Sequence, residues 1–102
     1  LIDPAALAEL NDAAGFYRGH TNAALGGAFV DEFERVTKLL LANPRLGSVS
    51  RNGVRQHAFH SFPYLLLYQI AGNELRIIAV SHQRRKPGYW VKRIWLRTLL
   101  PG

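Results

Sequence analysis

The chain has 102 residues, 48% of them hydrophobic and 11% aromatic, which suffices for a single domain over residues 1–102 with its own core and argues against a disordered chain. Thirteen Lys and Arg against seven Asp and Glu give a formal net charge of +6, which favours an acidic partner such as nucleic acid, an acidic protein or an anionic membrane surface. The absence of cysteine excludes disulfide bonds, a thiol nucleophile and a cysteine-based zinc site.

No apolar run approaches the roughly 20 residues that a membrane-spanning helix needs, and the N-terminus lacks the pattern of a signal peptide. We therefore expect a soluble, cytoplasmic protein with no membrane partner. The sequence contains no methionine, so we also expect that residues before Leu1 have been lost or trimmed.

The first predicted helix begins at Asp3 and Pro4, because an aspartate cap followed by proline at the first helical position is typical of a helix start. Gly19 and His20 end this helix. Its apolar stripe is formed by four residues at helical spacing: Leu7, Leu10, Ala14 and Tyr17.

The second predicted helix is capped by Thr21 or Asn22 and stopped by Asn43-Pro44. Its apolar stripe extends over about four turns of 3.6 residues and consists of Leu25, Phe29, Phe33, Val36 and Leu40. The short connection between the two helices predicts an antiparallel hairpin. Gly26-Gly27 permits close packing within it, while the acidic residues are expected on the solvent-exposed face: Asp31, Glu32 and Glu34.

Three strands are predicted in the second half of the chain. Residues 54–61 alternate loosely between apolar and polar, and Phe62-Pro63 makes a bend into an apolar strand over residues 64–70. Gly72-Asn73 suits a two-residue hairpin turn that leads into a β-branched strand over residues 75–81.

A short C-terminal helix is predicted within residues 89–100, and its packed side is expected to comprise Trp90, Ile94 and Leu99. Residues 45–53, which are rich in Gly, Ser and Asn, read as a loop. The order of elements predicts an α+β fold: an N-terminal helical hairpin packed on a small antiparallel sheet, followed by a short C-terminal helix.

A cluster of cations and aromatic side chains follows the last strand. We call residues 82–93 the basic segment; its members of interest are His82, Arg84, Arg85, Lys86, Tyr89, Trp90, Lys92 and Arg93. Cations interleaved with aromatic side chains suit contact with an acidic or nucleic-acid surface, although such a run is often only a solvated turn. We expect Trp90 to belong to the core, whereas for Tyr89 core and contact remain equally open.

The chain resembles the RelE/ParE superfamily, the toxin half of bacterial type II toxin–antitoxin pairs. The resemblance covers most of the chain and rests on the order of its motifs: Phe16-Tyr17, Asn43-Pro44-Arg45-Leu46-Gly47, Gly53-Val54-Arg55, Phe62-Pro63-Tyr64 with Tyr68, Val80-Ser81-His82 and Arg84-Arg85-Lys86-Pro87-Gly88-Tyr89-Trp90. Members of this superfamily usually begin with a β-strand, so the resemblance implies that this strand is missing or truncated and that Leu1-Ile2 is its tail.

The superfamily divides by target. RelE-like members cut mRNA in the ribosomal A site, whereas ParE-like members poison DNA gyrase. The nucleases carry an arginine just after the aromatic residue that begins the central strand, where it stabilises charge on the scissile phosphate. The matching residue here is Leu65, which cannot supply a cation. The chain is therefore closer to the ParE branch, and we expect a non-enzymatic toxin that inhibits gyrase, blocks replication and arrests growth, as plasmid-stabilisation toxins do.

Two alternatives stay open: a RelE-like, ribosome-dependent mRNA endonuclease, and a non-toxic binding module of the same fold. Cleavage of RNA needs a base, an acid and cations, and the resemblance points to His82, Arg84, Arg85 and Tyr89 for these roles. His57 and His60 lie on the first predicted strand and are expected near the same site as His82. For gyrase binding, the expected contact residues are Arg84, Arg85, Lys86, Tyr89, Lys92, Arg93 and Arg55.

The expected partner is a cognate antitoxin, ParD- or RelB-like, that folds over the outer face of the helical hairpin and the sheet edge and forms a toxin–antitoxin hetero-oligomer. No cofactor is expected. The four histidines lack the spacing of metal ligands and have no matching carboxylates nearby, so no metal site is predicted either.

Overall fold

The computed structural model of the chain describes residues 1–94, without the side chain of Arg51. Two helices, α1 (Pro4–His20) and α2 (Ala23–Ala42), are followed by four strands: β1 (Ser48–Val49), β2 (Arg55–Ala58), β3 (Tyr64–Ala71) and β4 (Glu74–His82). The strands form one antiparallel sheet in the order β1-β2-β3-β4. Both helices pack on one face of this sheet, so the predicted α+β architecture is confirmed.

The helix boundaries lie where the sequence predicts them. The backbone N–H of Ala5 donates to Asp3 Oδ1 at 2.9 Å, and that of Leu25 donates to Asn22 Oδ1 at 2.8 Å. Each side chain satisfies one of the N–H groups that a helix start leaves without a partner. Of the two predicted caps for α2, Asn22 is therefore the one used.

The buried side of α1 differs from the predicted stripe at one position. Leu10 and Ala14 are buried and Tyr17 packs against the core, as predicted, but Leu7 is 43% exposed and Ala6 is fully buried instead. Small residues on this side, among them Ala6 and Ala13, allow α1 to lie close to the sheet and to α2. In α2 the predicted stripe is confirmed, because Phe29, Val36 and Leu40 are fully buried.

Close approach of the two helices depends on Gly26. A Cβ atom at this position would lie 2.9 Å from the carbonyl oxygen of Ala14 and 3.0 Å from Cβ of Arg18, whereas a Cβ at Gly27 would meet open space. The expectation of close packing therefore holds for Gly26 alone.

Strand β2 is shorter than predicted, and β1 was not predicted. The ladder of β2 ends at Ala58 because the chain then turns through Ser61, which has a positive φ of 65°, before Tyr64 begins β3. Strand β1 has two exposed residues inside the segment expected to be a loop, so it carries no apolar alternation that would reveal it.

Strands β3 and β4 form the central hairpin. Ala71 faces Glu74 across the predicted two-residue turn, where Gly72 has a φ of 61°. The register shifts between Leu67 and Tyr68, whose partners are Ala79 and Ile77, so Ile78 is an extra residue and forms a β-bulge.

The bulge shifts the alternation of side chains along β4 by one residue, so that Ile77 and Val80 lie on the same face. Leu75, Ile77 and Val80 belong to the core beneath the helices. Ile78 and Ala79 point to the other face, where they form a second cluster with Val54, Leu67 and Trp90. Trp90 is 8% exposed, which confirms its expected place in the core.

Residues Leu1 to Asp3 lie along the outer edge of β4. Ile2 and Ile77 form a parallel bridge; the N–H of Ile77 donates to the carbonyl of Leu1 at 2.8 Å, and that of Asp3 donates to the carbonyl of Ile77 at 2.9 Å. The expectation that Leu1-Ile2 pairs with the sheet as strand-like backbone is consistent with this geometry.

The predicted C-terminal helix is described only in part. Residues 91–94 are helical, and the rest of the predicted helix, including Leu99, lies outside the described residues. Glu32, expected to be solvated, instead accepts hydrogen bonds from Arg35 and from the backbone N–H of His60, and thereby connects α2 to the loop before β3.

Neither α1 nor α2 is long and apolar enough to cross a membrane, and the same holds for every helix within residues 1–94.

Candidate functional site

The basic segment begins with a tight turn at the end of β4. The backbone N–H of Arg85 donates to the carbonyl of His82 at 2.9 Å, and the N–H of Arg84 donates to His82 Nδ1 at 3.0 Å. Gly88, with a φ of 81°, then reverses the chain so that it returns across the sheet. The imidazole of His82 lies edge-on to the ring of Tyr64, with 5.0 Å between the ring centroids.

One carboxylate from α1 holds the second half of this segment. The Tyr89 hydroxyl donates to Glu9 Oε2 at 2.5 Å, and Arg93 forms a bidentate pair with Glu9 at 2.8 and 3.1 Å. Such bidentate arginine–carboxylate pairs are among the strongest polar contacts in proteins. The side chains of Tyr89 and Arg93 are therefore largely engaged within the molecule.

The charged side chains of Glu9 and Arg93 also cover the edge of β4. Glu9 Oε1 accepts the backbone N–H of Val80 at 3.1 Å, and Arg93 Nη1 donates to the carbonyl of Ile78 at 2.9 Å. These backbone groups lie at the bulge and just after it and face outward, where no strand pairs with them among the described residues. No local sequence pattern predicts these contacts, because Glu9 lies 71 residues from Val80 and 84 from Arg93.

The environment of the cluster shifts the pKa values of its members. Burial, followed by the hydrogen bond to Glu9, raises the pKa of Tyr89 to about 12. For Arg93, burial alone would lower the pKa, but the hydrogen bond and the charge of Glu9 outweigh burial and raise it. Both groups thus keep their protonated, hydrogen-bond-donating forms at neutral pH.

Arg85 is linked to the cluster while remaining accessible. Its guanidinium carbon lies 4.0 Å from the centroid of the Tyr89 ring, and its Nη1 lies 3.9 Å from Glu9 Oε2. The side chain is 56% exposed. Arg85 therefore combines a cation–π contact with a surface position.

A groove of about 630 Å³ lies between the basic segment and the sheet face opposite the helices. Its floor is apolar and includes Leu65, Leu67 and Trp90, and the buried Ser81 also lines it. Its rim is polar and includes Ser50, Asn52, Gln56, His82, Arg85 and Lys86. Leu65 thus lies in the groove, where the resemblance to the nucleases expects an arginine.

The predicted contact residues separate into two groups. Arg84, Lys86 and Lys92 are exposed, and none of them forms an ion pair or a side-chain hydrogen bond with the described residues. Arg55 instead donates to the carbonyls of Arg45 and Gly47, at 3.0 and 2.8 Å, and so braces the loop before β1.

The other histidines do not join His82 in the groove. His57 Nδ1 lies 2.9 Å from the carbonyl of Ala58, and the backbone N–H of His60 is bound to Glu32 on α2; neither residue lines the groove. Within residues 1–94, no group of three His, Cys, Asp or Glu side chains is placed to hold a metal ion. The arrangement is suited to binding an anionic surface, with cations at the rim of an apolar groove.

Comparison with solved structures defines the fold class first. The chain is similar to a chain of the chromosomal ParDE TA system from P. aeruginosa, with a TM-score of 0.71 and 21% sequence identity over 79% of this chain and 90% of that chain. At this identity the likeness shows the fold: a helical hairpin on an antiparallel sheet, as in that toxin–antitoxin structure.

Comparison with protein families then identifies the chain. The family described as ParE toxin of the type II toxin–antitoxin system, parDE, matches residues 1–87. This chain belongs to the ParE toxin family, and its predicted place in the ParE branch is confirmed. The match ends before Tyr89 and Arg93, so it does not cover their cluster with Glu9. No curated protein matches the chain.

Proposed function

We propose that this chain is a toxin that inhibits DNA gyrase and is neutralised in the cytoplasm by a ParD-like antitoxin. The observation that carries the proposal is the place of Leu65 on the floor of the groove. A leucine cannot stabilise the charge of a phosphate undergoing cleavage. The groove therefore favours inhibition by binding over cleavage of RNA.

The candidate catalytic side chains already form hydrogen bonds within the molecule, which also favours inhibition by binding over cleavage of RNA. Tyr89 is bound to Glu9 and has a pKa raised to about 12, which makes it a poor proton donor to a leaving group at neutral pH. His82 Nδ1 accepts the N–H of Arg84, which leaves one ring nitrogen for any further role. These contacts support a binding role for Tyr89 and His82 over an acid–base role in RNA cleavage.

Binding to gyrase would rest on the exposed cations of the basic segment. Four of these cations are exposed and suit either an acidic protein surface or DNA phosphates: Arg84, Arg85, Lys86 and Lys92. The toxin makes no covalent bond in this scheme. Its binding energy stabilises a gyrase–DNA complex in which the DNA is cleaved.

Exposed apolar side chains support neutralisation by an antitoxin. On the helices, Leu7, Phe16 and Leu41 are 43, 53 and 60% exposed, and on the edge strand β1 Val49 is 62% exposed. Large apolar side chains exposed on a helical hairpin and a sheet edge suit burial by a partner segment. With a net charge of +6, the toxin would favour an acidic segment there.

The test is DNA supercoiling by purified gyrase with the toxin added. We expect loss of supercoiling and accumulation of cleaved DNA. Arg84→Gln, Lys86→Gln and Lys92→Gln should each weaken inhibition about two- to fivefold, since each removes one exposed charge contact. Lys38→Gln, an exposed lysine on α2, changes the net charge equally and should leave inhibition unchanged.

Other outcomes would assign the chain differently. If gyrase is unaffected and the toxin cleaves ribosome-bound mRNA in a manner abolished by His82→Ala, the chain acts as an endonuclease of the RelE type. If neither target responds and expression does not arrest growth, the chain is a binding module of the same fold.

A further inference from the structure

The side chains of Glu9, Arg85, Tyr89 and Arg93, which we call the Glu9 cluster, join α1 to the basic segment. Glu9 accepts hydrogen bonds from Tyr89 and Arg93 and lies within 3.9 Å of Arg85. Both guanidinium groups also approach the Tyr89 ring, with 4.0 Å from its centroid to Arg85 and 5.1 Å to Arg93. One acidic side chain thus organises two arginines around one aromatic ring.

We propose that Glu9 is a positioning residue for target binding: it holds Tyr89 in place as a platform, and through Tyr89 it fixes the direction in which Arg85 is presented to an anionic group of the target. The proposal rests on the proposed function, because it assigns Glu9 a role in binding by the same segment. Glu9 itself is not required to touch the target.

The physical reason is the cost of ordering an arginine side chain. A freely rotating arginine loses rotamer freedom when it binds, whereas one already stacked on a fixed ring loses less. The Glu9 carboxylate also offsets repulsion between Arg85 and Arg93, which lie near the same ring. Since the Arg85 side chain remains 56% exposed, this order does not hide it from a partner.

The contacts of Glu9 fix the position of its side chain, so its role differs from that of a solvated surface charge. Glu9 engages the ends of two side chains and a backbone N–H on β4, so it is fixed by α1, the sheet and the segment together. Glu34 lies on α2, is exposed, and makes no hydrogen bond or ion pair with the residues described here, whereas Asp12 lines the same surface pocket as Glu9 and Arg85. We therefore choose Glu34 and not Asp12 as the control that changes charge without changing the cluster.

The experiment compares Glu9→Gln, Glu34→Gln, Arg85→Gln and the double variant Glu9→Gln/Arg85→Gln, measuring the toxin concentration that halves supercoiling by gyrase. We expect Glu9→Gln to weaken inhibition about three- to tenfold, the range for immobilising one flexible side chain. Glu34→Gln, which makes the same change of charge away from the cluster, should match the unmodified toxin. The double variant should be no weaker than Arg85→Gln alone, because Glu9 acts through Arg85.

Additive losses in the double variant would overturn the proposal, since they would show that Glu9 contributes independently of Arg85. No loss in Glu9→Gln would overturn it as well. If Glu9→Gln fails to fold by circular dichroism, Tyr89→Phe replaces it in the same cycle; it keeps the ring, removes the hydrogen bond to Glu9 and should weaken inhibition about twofold, again only when Arg85 is present.

A separate measurement distinguishes failure of this proposal from failure of the proposed function. If the unmodified toxin does not inhibit gyrase, the gyrase assignment is wrong, and the cluster is tested by NMR of the arginine side chains without any target. Glu9→Gln should then speed exchange of the Arg85 side-chain N–H protons relative to Glu34→Gln. Equal exchange in the two variants would overturn the positioning role.

Discussion

At the scale of single residues, Tyr89 shows how one side chain serves both packing and polar contact. Its ring is partly buried against the second core cluster and carries the guanidinium of Arg85, while its hydroxyl reaches Glu9. An apolar body with one polar end suits this position between core and surface. Of the two alternatives that the sequence left open for Tyr89, packing is observed, whereas contact with a target stays a prediction.

The raised pKa of Tyr89 predicts how stability depends on pH. The folded value is about 12, whereas an unfolded tyrosine titrates near about 10. The neutral phenol is therefore favoured by folding, and its contribution to stability is complete below about pH 10 and is lost as the pH rises through about 12. Absorbance titration of the phenolates should show one step near pH 12 that is absent from Tyr89→Phe.

Glu9→Gln provides the matched comparison for this titration. Because the hydrogen bond to the carboxylate is the second cause of the shift after burial, we expect the Tyr89 step to move downward in this variant yet stay above pH 10. A step that stays near pH 12 in Glu9→Gln would show that burial alone sets the pKa of Tyr89.

At the scale of secondary-structure elements, the helical hairpin offers two adjacent glycines with opposite surroundings. Gly26→Ala would place a Cβ 2.9 Å from the carbonyl oxygen of Ala14 and force α1 and α2 apart, which should lower the free energy of unfolding by about 1–3 kcal/mol. Gly27→Ala meets open space and should raise it by about 0.5–1 kcal/mol, since alanine is the better helix former.

Urea unfolding of both variants, followed by circular dichroism, measures this difference. Equal effects of the two substitutions would contradict the close contact at Gly26. The prediction also separates packing from helix propensity, because the propensity change is the same at both positions.

Structural features that depend on neighbouring residues were predicted from the sequence, whereas those that depend on distant contacts were not. The caps at Asp3 and Asn22 and the turn at Gly72 are set by neighbouring residues, so those boundaries were predicted correctly. The exposure of Leu7 on α1 and the pairing of strand β1 depend on residues that are distant in sequence, so these two features were not predicted.

The candidate site follows the same rule. The basic segment and its cations could be read from the sequence, and so could the apolar residue at Leu65. The sequence could not show which of these cations are engaged within the molecule, because the contacts of Arg93 and Tyr89 with Glu9 connect residues more than 70 positions apart. Lone charges such as Glu9 carry no periodicity that would indicate a partner.

At the scale of the whole molecule, two apolar clusters share the same two central strands. Leu66 contacts the core under the helices, and the next residue, Leu67, contacts the cluster around Trp90 on the other face. Since β3 and β4 contribute to both, loss of either cluster removes support from the other, and we expect the domain to unfold as one unit.

Leu66→Ala and Leu67→Ala test this coupling. Each should lower the free energy of unfolding by about 2–5 kcal/mol, because each side chain is almost fully buried. Transitions followed by tryptophan fluorescence and by far-ultraviolet circular dichroism should coincide in both variants. Ile70→Ala, on the same strand but 40% exposed, is the control and should cost about 0.5 kcal/mol or less. Separate transitions in Leu67→Ala would show that the far-face cluster unfolds on its own.

The bulge at Ile78 also bears on how copies of this protein avoid associating through their sheets. Before the bulge, the outward backbone groups of β4 belong to Leu75 and Ile77; after it, an outward N–H belongs to Val80. An incoming strand with regular spacing would fall out of step halfway along this edge. The bulge therefore adds to the protection that residues 1–3 and the side chains of Glu9 and Arg93 give this edge against pairing with a second copy.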